Sequence, residues 1–282
     1  MKREHAVGQP RPSRSRIWSA VGVWVGALLL PALTWAQGFG PTPSFGTATN
    51  LPGRNGPQSI AVVDVNHDGF LDLVVANFFD DSVSVFLGDG AGAFASAVNF
   101  SVGDGPVDVA VADVDRDGNP DIVTANGNSS NVSVLLGDGL GAFTNAPLSP
   151  FAAGTTCQGV AIGEVTGDAF VDLVVVNTGS DSVSVLAGTG VGSGLFAGHV
   201  DYAVGTEPIE VALAHLNGDG RLDVIVTNLN ASNAGSVSIL LGNASGTLDS
   251  AVNVPTGGNA ARSVAVADLN GDAKLDLVVA NR

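Results

Sequence analysis

The sequence predicts an all-β fold, a β-propeller of four-stranded antiparallel blades. Three observations predict it. One acidic motif recurs five times at a near-constant period, short Val- and Ile-rich segments frame each copy, and 38 glycines punctuate those segments. The copies are DVNHDGFLDLVVAN (64–77), DVDRDGNPDIVTAN (113–126), EVTGDAFVDLVVVN (164–177), HLNGDGRLDVIVTN (215–228) and DLNGDAKLDLVVAN (268–281), at spacings of 49, 51, 51 and 53 residues. A single blade cannot bury both of its faces, so units of this kind must stack. A β-sandwich also uses many short strands, but it does not call for one motif per unit.

In chain order, the first element is a leader, residues 1–36, with residues 37–282 forming the repeats. Lys2, Arg3, Arg11, Arg14 and Arg16 precede the uncharged run IWSAVGVWVGALLLPALTWA, which ends on the small residue Ala36. A basic start, an apolar stretch and a small-residue site match a secretory signal peptide, cleaved near Ala36–Gln37. About 20 apolar residues can also span a bilayer as an uncleaved anchor. Pro31 and the small residue favour cleavage, and with it an exported protein without a membrane span.

Each unit then opens on an apolar strand, as in IAVVDV from Ile60 or DVAVADV from Asp108. The acidic loop follows, then the apolar second strand that ends the motif. An alternating third strand and a Gly-rich turn come next, as in SVSVFLGDGAGAF from Ser82, and a fourth strand such as ASAVNFSVG from Ala95 closes the unit. The first unit is preceded only by FGTATNLPGRNGP from Phe45, which matches an outer strand, and the last stops at Arg282 after its second strand. Four complete units and parts of a fifth leave three readings open: a truncated ring, a small closed ring, and a partial ring that oligomerises.

Composition narrows the function classes. The net charge is −16, and beyond Ala36 only 6 basic residues stand against 26 acidic ones. Too few cations remain to neutralise a phosphate backbone, so nucleic-acid binding is excluded, and bound metal ions or a cationic partner are favoured. The single cysteine, Cys157, rules out an internal disulfide and any multi-thiolate site. A small residue packed within a strand is its expected role.

The Asp-rich loop, the Gly-Asp-Gly-x-Gly-x-Phe segment and the period together resemble the FG-GAP (VCBS-type) repeat, over nearly everything from Phe45 to Arg282. That repeat forms the propeller of integrin α-subunits and of many exported bacterial proteins. The resemblance implies a propeller, often seven-bladed, with calcium in the loop that joins the first two strands of a blade.

The loop chemistry fits that implication. Calcium is a hard cation that takes six to eight oxygens, and a compact loop can supply them from alternate side chains and one carbonyl. Positions 1, 3, 5 and 9 of the nonapeptide offer carboxylate or amide oxygens and position 7 its carbonyl, while glycine at position 6 permits the sharp turn. The second copy is the best site: Asp113, Asp115, Asp117, the Asn119 carbonyl and Asp121. The first is close behind, with Asp64, Asn66, Asp68, the Phe70 carbonyl and Asp72. The fifth keeps Asp268, Asn270, Asp272, the Lys274 carbonyl and Asp276, but has Ala273 at the turn. The fourth retains Asn217, Asp219 and Asp223 behind His215, and imidazole is a poor calcium ligand. The third, with Glu164, Thr166, Asp168 and Asp172 around Ala169, fits least. The competing reading is turn chemistry, in which carboxylates cap backbone amides. It accounts for one or two acids per loop but not for the four in the second copy.

No catalytic set stands out. His5 lies in the leader, His67 and His215 lie in acidic loops, and His199 precedes a strand, none in a recognisable Ser or Cys motif. Acids that recur once per blade read as scaffold. The expected function is therefore an exported calcium-binding interaction or adhesion module, with a protein or carbohydrate ligand. The alternative is the propeller part of a polysaccharide-degrading hydrolase or lyase. All three tryptophans lie in the leader, which leaves no tryptophan platform for sugars in the repeats.

Overall fold

The computed structural model describes residues 50–51, 54–190, 194–230 and 234–282. The leader and the outer strand expected from Phe45 lie outside the described residues, apart from a few positions at the end of that segment. Among the described residues, nineteen strands form five consecutive antiparallel sheets. Blade 1 contains β1 (Pro57–Val63), β2 (Asp72–Asn77), β3 (Ser82–Phe86) and β4 (Val98–Ser101), hydrogen-bonded in that order. Blade 2 contains β5 (Pro106–Ala112), β6 (Asp121–Asn126) and β7 (Asn131–Gly137), with β8 (Phe143–Asn145) and β9 (Phe151–Ala152) both pairing with β7. Blade 3 runs β10 (Cys157–Gly163), β11 (Asp172–Asn177), β12 (Ser182–Leu186) and β13 (Val200–Ala203). Blade 4 runs β14 (Pro208–Ala214), β15 (Asp223–Asn228), β16 (Ala234–Leu240) and β17 (Val252–Asn259), and blade 5 holds β18 (Ala261–Ala267) and β19 (Asp276–Asn281).

The second strands explain the stacking. DLVVAN, DIVTAN, DLVVVN and DVIVTN are apolar on both faces, so they cannot sit on a sheet with one wet side. In blades 2, 3 and 4 all six residues of this strand are buried. Alternate residues go to opposite neighbours. Val74 and Ala76 of blade 1 pack with Val109, Ile122, Leu135 and Phe143 of blade 2. Val123 and Ala125 of blade 2 pack with Val160, Leu173 and Val175 of blade 3, and Val174 and Val176 of blade 3 pack with Val224, Val226 and Leu240 of blade 4.

Polar bonds set the register between neighbouring first strands. The same position of each blade carries Ser59, Asp108, Gly159, Glu210 and Ser263. Ser59 Oγ donates to Asp108 Oδ1 at 2.7 Å, and the Val160 amide donates to Asp108 Oδ2 at 3.0 Å, so one carboxylate ties three blades. The Val264 amide donates to Glu210 Oε2 at 3.2 Å. Gly159 stands at a close approach of the blade 3 and blade 4 first strands: a Cβ there would lie 3.0 Å from the Ile209 carbonyl oxygen.

Within each blade, the aspartate that opens the second strand acts as a strut. Asp72, Asp121, Asp172 and Asp223 are 0% exposed. One oxygen of each accepts an amide from the start of the acidic loop (Val65, Val114, Val165 and Leu216), at 2.8–2.9 Å. The other accepts the amide of a glycine at the end of the third strand (Gly137) or two residues past it (Gly88, Gly188 and Gly242), at 2.8–3.0 Å. Asp276 of blade 5 keeps only the first bond, from Leu269. The Asp172→Ala variant would leave the Val165, Thr166 and Gly188 amides without their acceptor. It should lose about 3 kcal/mol and ~6–12 °C of melting temperature, read by circular dichroism; an unchanged melting curve would mean the amides find water instead.

Candidate metal centre

The acidic loops share one backbone path. Position 6 is left-handed in every copy: Gly69, Gly118, Ala169, Gly220 and Ala273 have φ between 64° and 95°. The two alanines thus adopt the conformation for which glycine was expected, one that costs a side chain roughly 1–2 kcal/mol. Position 4 is left-handed as well, with His67 at φ 59°, Arg116 at 65°, and Gly167, Gly218 and Gly271 at 74–80°. Sequence reasoning missed this second requirement, although glycine at that position in three copies signals it.

Within this path the acids do cap amides. Position 5 accepts the amide of position 7 in each loop: Asp68 from Phe70, Asp117 from Asn119, Asp168 from Phe170, Asp219 from Arg221 and Asp272 from Lys274. Position 3 accepts the amide of position 5 in four loops, through Asn66, Asp115, Asn217 and Asn270. Position 1 accepts the amide of position 6, from Gly69 to Asp64 Oδ2 and from Gly118 to Asp113 Oδ2, each at 3.0 Å.

Capping leaves a remainder in the first two loops. Asp64 Oδ1 and Asp113 Oδ1 are buried and have no hydrogen-bond partner. In the second loop Asp113, Asp115 and Asp117 bring carboxylate oxygens within 4.8 Å of one another, an arrangement able to hold a metal ion. Burial raises the pKa of Asp115, and the charges of Asp117 and Asp113 add to the rise. Arg116, between them in sequence, does not relieve the charge; its guanidinium lies over the Phe170 ring, 5.5 Å from the centroid. Asp121 is outside the three-acid group. Its oxygens serve Val114 and Gly137, leaving one lone pair on each.

In the other three loops the position-1 side chain is already engaged within the loop. In the fifth, Asp268 Oδ1 accepts Gly271 and Asp272 and its Oδ2 accepts Ala273, so both oxygens are engaged. In the fourth, His215 Nδ1 lies 2.7 Å from the Arg221 carbonyl, the position-7 oxygen that a cation would take. The Arg221 guanidinium lies 3.3 Å from Asp219 Oδ2. In the third, Glu164 Oε1 accepts the Gly167 amide, and Thr166 Oγ1 is buried without a partner.

Two further groups bear on chemistry. Burial pushes the Cys157 thiol up to about 12, which leaves it an inert core residue as expected. His199 Nδ1 lies 2.9 Å from Asp201 Oδ1, and Ser184 Oγ donates to the same oxygen at 2.6 Å. This is not a nucleophile with its base, because the serine meets the carboxylate rather than the imidazole. The bond from third to fourth strand recurs in Ser84–Asn99 and Ser238–Asn253, which marks it as blade architecture.

The FG-GAP-like repeat model matches residues 64–124, 113–175, 165–226 and 215–279. The chain therefore belongs to the FG-GAP-like repeat family. No curated protein matches it. A chain in the crystal structure of BBS1N in complex with ARL6DN superposes with a TM-score of 0.52 at 17% identity, over 82% of this chain and 63% of that one. Streptogramin B lyase gives 0.47 at 18% identity, over 75% and 59% of the two chains. The V. cholerae biofilm matrix protein Bap1 gives 0.40 at 16%, over 75% and 42%. The chain thus spans less than two thirds of each, and the likeness is one of fold alone.

Buried carboxylates also give the metal-free protein a pH dependence. Burial raises Asp108, Asp172 and Glu210 above the ordinary carboxylate range, and raises Asp121 to about 7. Each holds a proton when folded at a pH where the unfolded chain has lost it. The resulting stability is full below the unfolded values near 4 and is lost as pH rises through the folded ones. Chelator-treated protein should therefore melt at least ~3 °C lower at pH 8 than at pH 5, the shift that one pKa unit produces in a domain of this size. A melting temperature that rises over the same range would contradict this.

Proposed function

We propose that this protein is an exported, calcium-clamped propeller-type module that binds a protein or carbohydrate partner and does not itself catalyse a reaction. The observation that carries the calcium reading is the pair of buried, unpartnered oxygens, Asp64 Oδ1 and Asp113 Oδ1, at position 1 of the first two loops. A buried polar atom without a partner is costly, and a carboxylate more so. Three gathered carboxylates also repel one another by about 1 kcal/mol per pair in water, and by more where partly buried. A hard cation relieves both costs, and an all-oxygen donor set suits calcium.

The residues fit the ion in two loops. Asp113, Asp115, Asp117 and the Asn119 carbonyl would hold it in the second, and Asp64, Asn66, Asp68 and the Phe70 carbonyl in the first. Asp121 and Asp72 would lend their remaining lone pairs. The fifth loop is a weaker candidate, because Asp268 must give up an amide to bind. Bound calcium would neutralise the loop and pin the first strand of the blade to the second.

The binding role rests on the family and on blade construction, in which conserved strand geometry carries variable connections. Export rests on the leader and on the family. No helix among the described residues is long and apolar enough to cross a membrane. Titration of calcium into chelator-treated protein by calorimetry should reveal two sites, with a calcium-dependent rise in melting temperature. Asp113→Asn should abolish one site and spare the other. Absence of binding heat together with an unchanged melting temperature at millimolar calcium would sink the proposal.

A further inference from the structure

The second loop carries its own competitor for a cation. Arg116 stands at position 4, between Asp115 and Asp117, and is the one basic residue from Asp113 to Asp121. Its planar fork of N–H donors matches a carboxylate. Folded back onto Asp113, Asp115 or Asp117, that guanidinium would cancel the charge that draws in a metal ion. The fourth loop shows this outcome: Arg221 Nη1 donates to Asp219 Oδ2 at 3.3 Å.

Arg116 does otherwise. Among the described residues the ion pairs are His199–Asp201 and Arg221–Asp219, and Arg116 is in neither. Its guanidinium crosses to the next blade and lies over the Phe170 ring, 5.5 Å from the centroid, at position 7 of the third loop. Position 4 of the first loop leans toward its neighbour in the same way: a Cβ on Gly139 of blade 2 would lie 3.2 Å from His67 Cδ2. Phe170 is held in turn. It is half-buried, its amide donates to Asp168 Oδ1, and a Cβ on Gly188 would lie 3.1 Å from its own Cβ. A cation on an aromatic face and an exposed ion pair are of similar strength, so the presence of the ring decides which of the two Arg116 makes. With Arg116 on the ring, Asp113 Oδ1 stays buried without a partner, and three carboxylates stay gathered within 4.8 Å.

We propose that Phe170 is a positioning residue for the cation site of the preceding blade: its ring holds Arg116 off Asp113, Asp115 and Asp117 and leaves their charge to the metal ion. This rests on the calcium reading of the second loop. The third loop, which fits an ion least, thereby serves the second, and the best site of the chain is completed across a blade junction.

Calorimetric titration of calcium tests this in a parent chain carrying Asp64→Asn, which removes the first site and leaves the second to be read alone. Circular dichroism checks that each variant folds. Phe170→Leu keeps most of the side-chain bulk and removes the aromatic face. It should weaken calcium binding about 2- to 5-fold, the factor an exposed ion pair imposes. Phe170→Tyr keeps a ring and should bind as the parent does. Arg116→Ala should bind at least as tightly as the parent, and Phe170→Leu added to it should change nothing, because the competitor is gone. A parent that binds no calcium overturns the calcium reading of the second loop and this inference with it. Binding in the parent that Phe170→Leu leaves unchanged, or weakens equally with and without Arg116, overturns this inference alone.

Discussion

The buried aspartate at the start of each second strand is the interaction on which the rest of the structure depends. Its side chain reaches two amides far apart in sequence, one at the start of the acidic loop and one at the end of the third strand or just beyond it. Without it, first and third strands are joined only through the second. With it, the acidic loop is anchored at its base, and residues 1–6 of the loop close over a fixed point. Taking a carboxylate out of water is expensive, which is why burial pushes Asp121 up to about 7 despite two amide donors. The fold buries this aspartate in four blades, because the donors are backbone amides that would otherwise be buried without partners.

Much of this was legible in the sequence. The repeat period fixes the number of units, and the apolar second strands require neighbours on both faces. Position-6 glycines mark a left-handed turn, confirmed even where Ala169 and Ala273 replace them. Other features were not legible, for physical reasons. Asp121 and Asp113 are the same residue type eight positions apart in one motif, and only burial separates a strut from an open carboxylate. Likewise Asp113 and Asp268 occupy the same position, yet one keeps a free buried oxygen and the other spends both on loop amides. That difference lies in which loop amides the carboxylate meets, which no spacing rule encodes. The inter-blade bonds of Asp108 required knowing that equivalent residues of successive first strands lie side by side.

The five loops also form a series in how they balance their own charge. The second gathers three carboxylates with no cation on them, and the first keeps one buried oxygen unpaired. The fourth has exchanged its first acid for His215, which meets the position-7 carbonyl, and carries Arg221 beside Asp219. Imidazole and guanidinium there sit against the carbonyl and carboxylate that an ion would contact. The third has the longer acid Glu164 at position 1 and the neutral Thr166 at position 3, where only the second loop carries an acid. Where the position-1 aspartate is replaced, in the third and fourth loops, the new side chain meets a backbone group of its own loop instead.

This series has a consequence for the scaffold. The loops whose position-1 aspartate keeps a spare buried oxygen belong to blades 1 and 2, while in blades 3 and 4 the position-1 side chain bonds within the loop. In blade 5 Asp276 keeps one of the strut's two bonds, and Asp268 at the head of the loop spends both oxygens on loop amides. The same nonapeptide path is therefore held in two ways, with a spare buried oxygen at position 1 in the first two loops and with that oxygen committed to the backbone in the fifth.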